Sequence, residues 1–212
     1  MSALTVKQPG LLSLLQDRGR FGRADLGLST GGPMDPLAAS LANRLLDNDP
    51  DATLIEVSFG GLEVLAEGDL QLAVTGASLP VIRDGRDVPM WSTIDVKGGD
   101  VVSLGFAETG CRSYLAVRGG FVIEPAFGST STVLREGIGG LRGGKLDAGD
   151  RLPLDKCEAV EPRWIPPRHR PRYHHRATVR VIPGYQQAHF PRIEQRRFFG
   201  SEYRVSDRSD RM

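Results

Sequence analysis

The sequence predicts a mainly β protein, built as an antiparallel barrel or a sandwich with one or two short helices. Three observations support this fold class. Apolar residues recur in short segments bounded by turn residues throughout positions 53–117. Asp84-Gly85 is the two-residue signature of a tight β-hairpin. Gly-Asp pairs, which are typical of turns that begin a strand, precede apolar segments at Gly68-Asp69, Gly99-Asp100 and Gly149-Asp150.

The composition indicates which classes of binding partner and which cellular compartment to expect for this protein. The chain has 212 residues and a formal net charge of +1, from 27 Lys and Arg against 26 Asp and Glu. This balance gives no electrostatic reason to expect nucleic acid or an anionic membrane as a partner. Cys111 and Cys157 are the only cysteines, which predicts neither a disulfide framework nor a CxxC site. No stretch approaches the roughly 20 apolar residues of a membrane span, and the N-terminus lacks the pattern of a signal peptide. We expect a cytoplasmic protein.

The first 46 residues predict two short strands, a long polar loop and a helix. Residues 4–6 and 11–15 form extended segments separated by a turn at 8–10. The loop Gln16–Asp35 then combines five glycines with charges of both signs, a composition that suits either a loop around a polar ligand or a structural connection whose charges pair with one another. Asp35 before Pro36 predicts the N-cap of a helix over Pro36–Leu46.

Strands and a second polar loop follow this helix. Residues 118–146 are rich in glycine and contain the hydroxyl-bearing run Ser129–Thr132, whose amides and hydroxyls suit a polar group of a substrate as well as an irregular loop. The segment matches neither the phosphate-loop nor the dinucleotide pattern. Eight strands are predicted before it, at Thr53–Ser58, Leu62–Ala66, Leu70–Thr75, Val81–Arg83, Val88–Trp91, Ile94–Val96, Val101–Leu104 and Arg112–Val117.

The chain divides into two predicted domains. Residues 1–160 form the first β-barrel domain, and residues 161–176, with four prolines and five arginines, form a linker. Three histidines in this linker lack carboxylate or thiolate neighbours at ligand spacing, so we predict no metal site. Residues 177–212 are predicted to be the beginning of a second, incomplete β domain, with strands at 177–182 and 203–205 and a helix at 191–199. Because so short a segment cannot bury its own apolar residues, we expect it to pack on the first barrel, on a second copy or on a partner.

Catalytic motifs do not identify a reaction by themselves. The patterns GxSxG, HExxH and SxxK are absent, and neither cysteine has a histidine near it in sequence. Within the loop Gln16–Asp35, Arg20 is suited to bind a carboxylate or phosphate through its two-pronged guanidinium group, with glycine amides beside it. The residues therefore predict a β-rich protein with two glycine-rich polar loops, and leave its chemistry open.

Several short motifs nevertheless follow one another in a distinctive order. The first half contains LLQDRGR at Leu14–Arg20, GGPMD at Gly31–Asp35, ANRL at Ala42–Leu45 followed by Asn48, then Glu56 and TGA at Thr75–Ala77. The second half contains GCRSYLAVRGG at Gly110–Gly120, GSTST at Gly128–Thr132 and GDRLP at Gly149–Pro153. In the same order, these resemble the motifs TVQDxGR, SGAMD, ANxLVGN, LExT, TGA, GxRxYLAVRGG, GSxST and GDxLP of the KipA-like family. Gly31 stands in place of the serine of SGAMD.

This family is also called allophanate hydrolase subunit 2 or the C component of 5-oxoprolinase, and is related to the carboxyltransferase part of biotin-dependent urea carboxylase. The resemblance implies a pair of cyclophilin-like β-barrels. The family's SDRMGxR motif starts where this chain ends, so we expect the second barrel to be incomplete and the chain alone to be less active than its assembly. The implied function is ATP-dependent opening of 5-oxoproline to glutamate, together with a KipI-like subunit (the B component) and a LamB/YcsF-like subunit (the A component).

Two other functions are compatible with the resemblance. One is carboxyl transfer from carboxybiotin to urea or a similar amide, with no ATP used by this chain. The other is non-enzymatic, as an antagonist that binds a KipI-like kinase inhibitor. All three functions imply a protein that works without nucleic acid or membrane, and the two enzymatic ones imply a small amide or lactam substrate.

Site residues are assigned on the leading function. Lactam hydrolysis requires an activated carbonyl and a stabilised oxyanion, so phosphorylation of the carbonyl oxygen followed by attack of water is a reasonable route. We expect Asp17, Arg20, Asp35 and Arg118 to converge in one cleft, although Arg118 is over 80 positions from the other three. On this route we assign proton transfer to Asp17, Asp35 or Glu56 and expect no metal. Substrate binding is assigned to Arg20, Arg118, Gly119, Gly120, Ser129, Thr130, Ser131 and Thr132.

Overall fold

The computed structural model describes residues 2–205, which fall into two compact units with a boundary between His175 and Arg176. The first unit is mainly β, as predicted, and its paired strands are all antiparallel. The helix α1 spans Pro36–Leu45. The strands are β1 Ala3–Pro9, β2 Leu12–Gln16, β3 Leu54–Ser58, β4 Leu62–Ala66, β5 Leu70–Ser78, β6 Val81–Arg83, β7 Arg86–Asp87, β8 Thr93–Val96, β9 Val101–Leu104, β10 Thr109–Val117 and β11 Arg151–Pro153.

The strands form two sheets rather than one closed barrel. One sheet has the order β11-β1-β4-β9-β6-β7 and the other the order β2-β3-β10-β5-β8. Their facing surfaces share one hydrophobic core, to which β3, β5 and β10 contribute alternate residues such as Ile55, Val74 and Leu115. The cyclophilin-like barrel implied by the resemblance is therefore present as an open arrangement of two packed sheets.

Helix α1 covers the other face of the five-stranded sheet. Ala38, Ala42 and Leu45 of the helix pack against residues of β3, β5 and β10, among them Leu54 and Tyr114. All of β3 and the second half of β10 are therefore buried on both faces of the sheet. Polar residues on the helix-facing side of these strands are consequently buried and need partners.

The predicted turns are confirmed, and one predicted strand is wrong. The three Gly-Asp pairs immediately precede β5, β9 and β11, and Asp84-Gly85 joins β6 to β7 with both residues at positive φ. Residues Val88–Trp91, however, do not form a strand. Pro89 has no amide hydrogen for a ladder, and Trp91 takes a left-handed φ of 63°, which ends the extended conformation.

The second unit contains helix α2 at Arg192–Gly200 and a short 3₁₀ turn at Gln187–His189. The helix predicted at 191–199 is confirmed within one residue. The strands predicted at 177–182 and 203–205 are wrong, because the described part of this unit offers them no neighbouring strand with which to pair their backbone groups. Apolar residues there are exposed, Val179 by 74% and Ile182 by 95%. Residues 206–212 lie outside the described part.

Candidate functional site

The start of helix α1 lies over a row of side chains on the five-stranded sheet. Leu14, Glu56, Tyr114 and Thr75 stand opposite one another on β2, β3, β10 and β5 and therefore share one face. Thr75 donates a hydrogen bond to the carbonyl of Ala38 at 2.8 Å. The helix start is thereby fixed against the sheet at the position of Glu56 and Tyr114.

Two carboxylates and two phenols are linked at this position. Tyr114 donates from its hydroxyl to Glu56 Oε2 (2.9 Å) and accepts from the backbone N–H of Asp35 (2.7 Å). Glu56 also accepts from the backbone N–H of Met34 (2.7 Å), and its side chain is only 1% exposed. Asp35 caps the helix by accepting from the N–H of Ala38 at 3.0 Å, as the sequence predicts.

Tyr173 completes this group from a distant part of the first unit. Its hydroxyl donates to Asp35 Oδ2 at 2.6 Å, and its ring lies against Gly110, where an added Cβ would be 3.2 Å away. Burial, followed by its hydrogen bond to Asp35, raises the pKa of Tyr173. Burial, followed by the charge of Glu56, likewise raises the pKa of Tyr114. Both phenols therefore stay protonated and act as hydrogen-bond donors to carboxylates.

Arg112 supplies the positive charge of the group. Its Nε lies 3.9 Å from Glu56 Oε1, and its guanidinium stacks over the ring of Phe59 at 5.7 Å. Among the described residues, the buried Nε–H of Arg112 finds no hydrogen-bond acceptor. We call this set the carboxylate cluster; its members are Asp35, Glu56, Arg112, Tyr114 and Tyr173.

A second polar group, the serine clasp, joins the two glycine-rich loops. Asp17 accepts from the hydroxyls of Ser129 (2.6 Å) and Ser131 (2.8 Å) and from the backbone N–H groups of Thr130 (2.7 Å) and Gly19 (2.9 Å). Burial raises the pKa of Asp17, but these four hydrogen bonds lower it, and the net pKa lies below its ordinary value. The clasp comprises Asp17, Arg20, Ser129, Thr130 and Ser131.

Arg20 holds the clasp from within. It is 2% exposed and donates to the backbone carbonyls of Ala126 (3.2 Å), Ser131 (2.8 Å) and Ser129 (3.5 Å). Gly32 donates its N–H to the Ser131 hydroxyl at 3.0 Å. The two loops are therefore joined by the side chains of Asp17, Arg20, Ser129 and Ser131, which bind one another and the facing backbone.

The two threonines of the run Ser129–Thr132 also form hydrogen bonds, to Thr53 and to the end of β2. Thr130 shares a hydrogen bond of 2.7 Å with Thr53, and the Thr132 hydroxyl donates to the carbonyl of Leu15 at 3.0 Å. Both threonines are buried. The run Ser129–Thr132 thus lies along the end of β2 and is held there at each of its four residues.

Arg118 lies at a third place, beyond the C-terminal end of α1. Its guanidinium donates to the carbonyls of Leu46 (2.9 Å), Asp47 (2.7 Å) and Glu158 (3.1 Å). Cations at this end of a helix are favoured by the exposed carbonyls and the helix dipole. Gly119 donates its N–H to Asn48 Oδ1 at 2.8 Å, and Gly119 and Gly120 both have positive φ. This arrangement ties the helix end to the turn that follows β10.

A pocket of about 440 Å³ lies between the loop Gln16–Asp35, one side of α1 and residues 50–54. Its volume falls in the range of sites for small ligands. Asp17 lines it but is saturated by the clasp, and Asn43 donates to the carbonyl of Ala52 at 2.9 Å. Arg112, Glu56 and Tyr114 do not line this pocket. We place the candidate chemistry at the carboxylate cluster, where two carboxylates, two phenols and a guanidinium meet.

The structure thus distributes the expected site residues over three places. It brings Asp17, Arg20 and the run Ser129–Thr132 together, and separately Asp35 and Glu56. Arg118, Gly119 and Gly120 belong to neither group. Sequence reasoning missed Arg112, Tyr114 and Tyr173 as site residues. Arg112 and Tyr114 belong to one of the matching motifs, and the pairing of Tyr114 with Glu56 on adjacent strands is the signal that could have identified them. No sequence pattern identifies Tyr173 as a site residue.

Residues 2–205 contain neither a metal-ligand cluster nor a membrane-spanning helix. No group of three or more His, Cys, Asp or Glu in this range is placed to hold a metal ion. Nor does any helix in the same range combine the length and apolar character needed to cross a membrane.

Comparison with known proteins identifies related chains. Residues 26–212 match the family model described as "Carboxyltransferase domain, subdomain A and B". The C component of the Escherichia coli 5-oxoprolinase is 36% identical over 211 residues, which are 99% of this chain but 66% of that protein's own length. A urea amidolyase of Saccharomyces cerevisiae is 35% identical over 158 residues, 74% of this chain and 9% of that protein. The crystal structure of the K. lactis urea amidolyase superimposes with a TM-score of 0.77 at 31% identity, covering 81% of this chain and 11% of that one.

Proposed function

Because the chain belongs to the carboxyltransferase domain family, subdomains A and B, we propose that it is part of an ATP-dependent 5-oxoprolinase. In this assembly it acts with a KipI-like and a LamB/YcsF-like subunit to open 5-oxoproline to glutamate. The observation that carries the proposal is the 36% identity to the C component of a 5-oxoprolinase along 99% of this chain. The carboxylate cluster supports it by joining residues of several of the matching motifs at one place.

The proposed chemistry uses the cluster for proton transfer. ATP supplies a phosphoryl group to the lactam carbonyl oxygen, and water attacks the activated carbon. Glu56 accepts a proton from that water, and this proton is returned to the leaving nitrogen, with Asp35 assisting its transfer, as the C–N bond breaks. A second water then releases inorganic phosphate from the resulting acyl phosphate and leaves glutamate. Tyr114 keeps Glu56 in place through their 2.9 Å hydrogen bond, and Tyr173 does the same for Asp35 at 2.6 Å. The serine clasp and Arg118 hold the loops and the helix around the cluster.

The experiment is reconstitution of the three subunits. The complex should form glutamate from 5-oxoproline only with ATP present, and the purified chain alone should be less active. Glu56→Gln keeps the size and the acceptor oxygen of Glu56 but removes its basicity, so turnover should fall by about 100-fold or more. Glu124→Gln, at an exposed position, is the matched control and should leave turnover unchanged. A chain that performs the full reaction alone would refute the subunit role.

A second function is favoured by a separate observation. The relatives include the urea amidolyase of S. cerevisiae, and the chain shares the fold of part of the K. lactis enzyme. On this alternative, the chain transfers a carboxyl group from carboxybiotin to urea or a similar amide, and an arginine with backbone amides stabilises the enolate-like biotin. Carboxylation of urea by carboxybiotin without ATP, with no glutamate formed from 5-oxoproline, would establish it. Binding of a KipI-like chain with neither activity would favour the antagonist role.

A further inference from the structure

We propose that Arg112 binds the carboxylate of a small lactam substrate, and so selects a carboxylate-bearing amide over a neutral one. The choice of lactam rests on the proposed function, whereas the binding chemistry rests on the geometry of the arginines. Arg112 was not among the residues expected from the sequence. It stands out when the arginines Arg20, Arg112 and Arg118 of the matching motifs are compared by what their guanidinium groups already bind.

Two of these arginines are engaged by the protein backbone. Arg118 donates to three carbonyls, at distances of 2.7–3.1 Å. Arg20 also donates to three carbonyls and keeps Nη1 without a partner among the described residues, but it is 2% exposed. A Cβ at Gly31 would lie 3.6 Å from Nη1, and one at Gly139 would lie 3.1 Å from Nη2. The backbone thus encloses the Arg20 guanidinium, and a ligand cannot reach it without opening the clasp.

Arg112 differs in both respects. Its side chain is 24% exposed, and its one hydrogen bond within the described residues is a long contact of 3.3 Å to the adjacent carbonyl of Cys111. The Nε–H has no acceptor in the same part of the chain, because Glu56 Oε1 stands 3.9 Å away, beyond hydrogen-bond distance. The guanidinium of Arg112 thus has a buried Nε–H without an acceptor in the described residues, on a side chain that is partly exposed to solvent.

Glu56 does not need Arg112 as a hydrogen-bond donor. It accepts from the Met34 N–H at 2.7 Å and from the Tyr114 hydroxyl at 2.9 Å. The arginine is accordingly left to neutralise the buried charge from a distance and to accept a second anionic partner. A buried donor without a partner costs free energy, and a ligand that supplies the partner recovers that cost.

The surroundings of Arg112 suit a planar carboxylate. Phe59 lies under the guanidinium, with its ring centroid 5.7 Å from Cζ, a distance at which the cation and the ring attract each other. The guanidinium presents its N–H groups as a planar fork. A carboxylate in that plane accepts two charge-assisted hydrogen bonds, whereas the carbonyl of a neutral amide accepts weaker ones. Arg112 should therefore contribute more to binding 5-oxoproline than to binding urea or an unsubstituted lactam.

The test measures direct binding to the full chain, without turnover. Isothermal titration should give an affinity for 5-oxoproline roughly tenfold or more above that for 2-pyrrolidinone, the same ring without the carboxylate, and above that for urea. Arg112→Gln should remove this preference, and Arg112→Lys, which keeps the charge without the fork, should restore part of it. Arg83→Gln is the matched control: Arg83 is 32% exposed and lies 3.8 Å from Asp100, on the other sheet, and its loss should leave the preference intact.

The outcomes separate this inference from the proposed function. Equal affinities of the wild-type chain for 5-oxoproline and 2-pyrrolidinone, or no binding of either, would overturn the role of Arg112 even if Arg112→Gln failed to fold. A preference that survives in Arg112→Gln would overturn it as well. A preference that depends on Arg112, in a chain whose assembly never opens 5-oxoproline, would support the carboxylate site and refute the proposed reaction.

Discussion

The serine clasp and the carboxylate cluster are both built from charged side chains of the matching motifs, yet they differ in how far those charges are satisfied. In the clasp, Asp17 has four hydrogen-bond donors and Arg20 has three carbonyl acceptors. In the cluster, Arg112 makes one long hydrogen bond within the described residues and stands beyond bonding distance of Glu56. The clasp is sealed, and the cluster is partly open to solvent.

This difference indicates that the charged residues of the two groups have different roles, one in stability and the other in binding. Saturated charges in the clasp stabilise one conformation of two loops that have little apolar content of their own. An incompletely paired cation beside a buried carboxylate stabilises the fold less well, and is suited to bind something from outside. Mutations at the clasp should therefore lower stability, and mutations at the cluster should change binding and turnover.

The largest expected effect is the loss of the clasp carboxylate. Asp17→Ala leaves two buried hydroxyls and two N–H groups without their acceptor, so the free energy of unfolding should fall by about 3 kcal/mol or more. Chemical denaturation measures this change. Asp51→Ala removes an exposed aspartate and should change stability by less than about 0.5 kcal/mol. If Asp17→Ala were fully stable but inactive, the assignment of the clasp to stability and of the cluster to activity would be wrong.

A smaller loss of stability, with a clear loss of activity, is expected in the cluster. Tyr114→Phe removes the donor to Glu56 and the acceptor of the Asp35 N–H, which should cost about 1–3 kcal/mol of unfolding free energy. Turnover of the assembled complex should fall at least about tenfold, because Glu56 is no longer held. Tyr185→Phe, at a fully solvated tyrosine, serves as the control for both measurements. Unchanged turnover in Tyr114→Phe would show that Tyr114 has no role in the reaction.

The two groups should also differ in their response to acid. The pKa of Asp17 is lower in the folded chain than its ordinary value of 3.8, so the folded state is stabilised by the ionised form. That contribution is complete above the unfolded pKa and is lost as the pH falls through the folded pKa. The stability difference between the wild type and Asp17→Asn should therefore be constant above about pH 5 and shrink below about pH 4. A difference that is independent of pH down to about 2 would contradict the lowered pKa.

The smallest effect is expected in the pocket beside the clasp. Ser40→Phe places a ring into this pocket from an exposed position of α1 and should leave the affinity for 5-oxoproline within about twofold, since Arg112 does not line the pocket. Titration calorimetry would compare it with Arg112→Gln. An affinity lost in Ser40→Phe and kept in Arg112→Gln would move the substrate site to the pocket.

Much of the first unit was predictable from local patterns. The Asp35 cap, the Gly-Asp turns and the Asp84-Gly85 hairpin each depend on a few neighbouring residues, and all are confirmed. The predictions that failed in the second unit depended on distant partners. The segment 177–182 has the composition of a strand, but a strand forms only where another strand accepts its hydrogen bonds.

The site was predictable only in its parts. The resemblance pointed to Asp17, Asp35 and Glu56, but whether each carboxylate is saturated or available depends on residues more than 50 positions away. Ser129 reaches Asp17 across 112 positions, and Tyr173 reaches Asp35 across 138. No local pattern carries this information. The three-dimensional pairing is what separates Arg112 from Arg20 and Arg118.

The most direct test of the carboxylate cluster as the substrate site is to map where 5-oxoproline binds. In an NMR titration of the full chain, the backbone N–H groups of Met34 and Asp35, which donate to Glu56 and Tyr114, should shift most, together with those of Cys111 and Arg112. The N–H groups of Gly31, Gly32, Ala52 and Leu54, which line the pocket, should move little. Shifts confined to the pocket residues, with Met34, Asp35 and Arg112 unchanged, would contradict the assignment of the substrate to the carboxylate cluster.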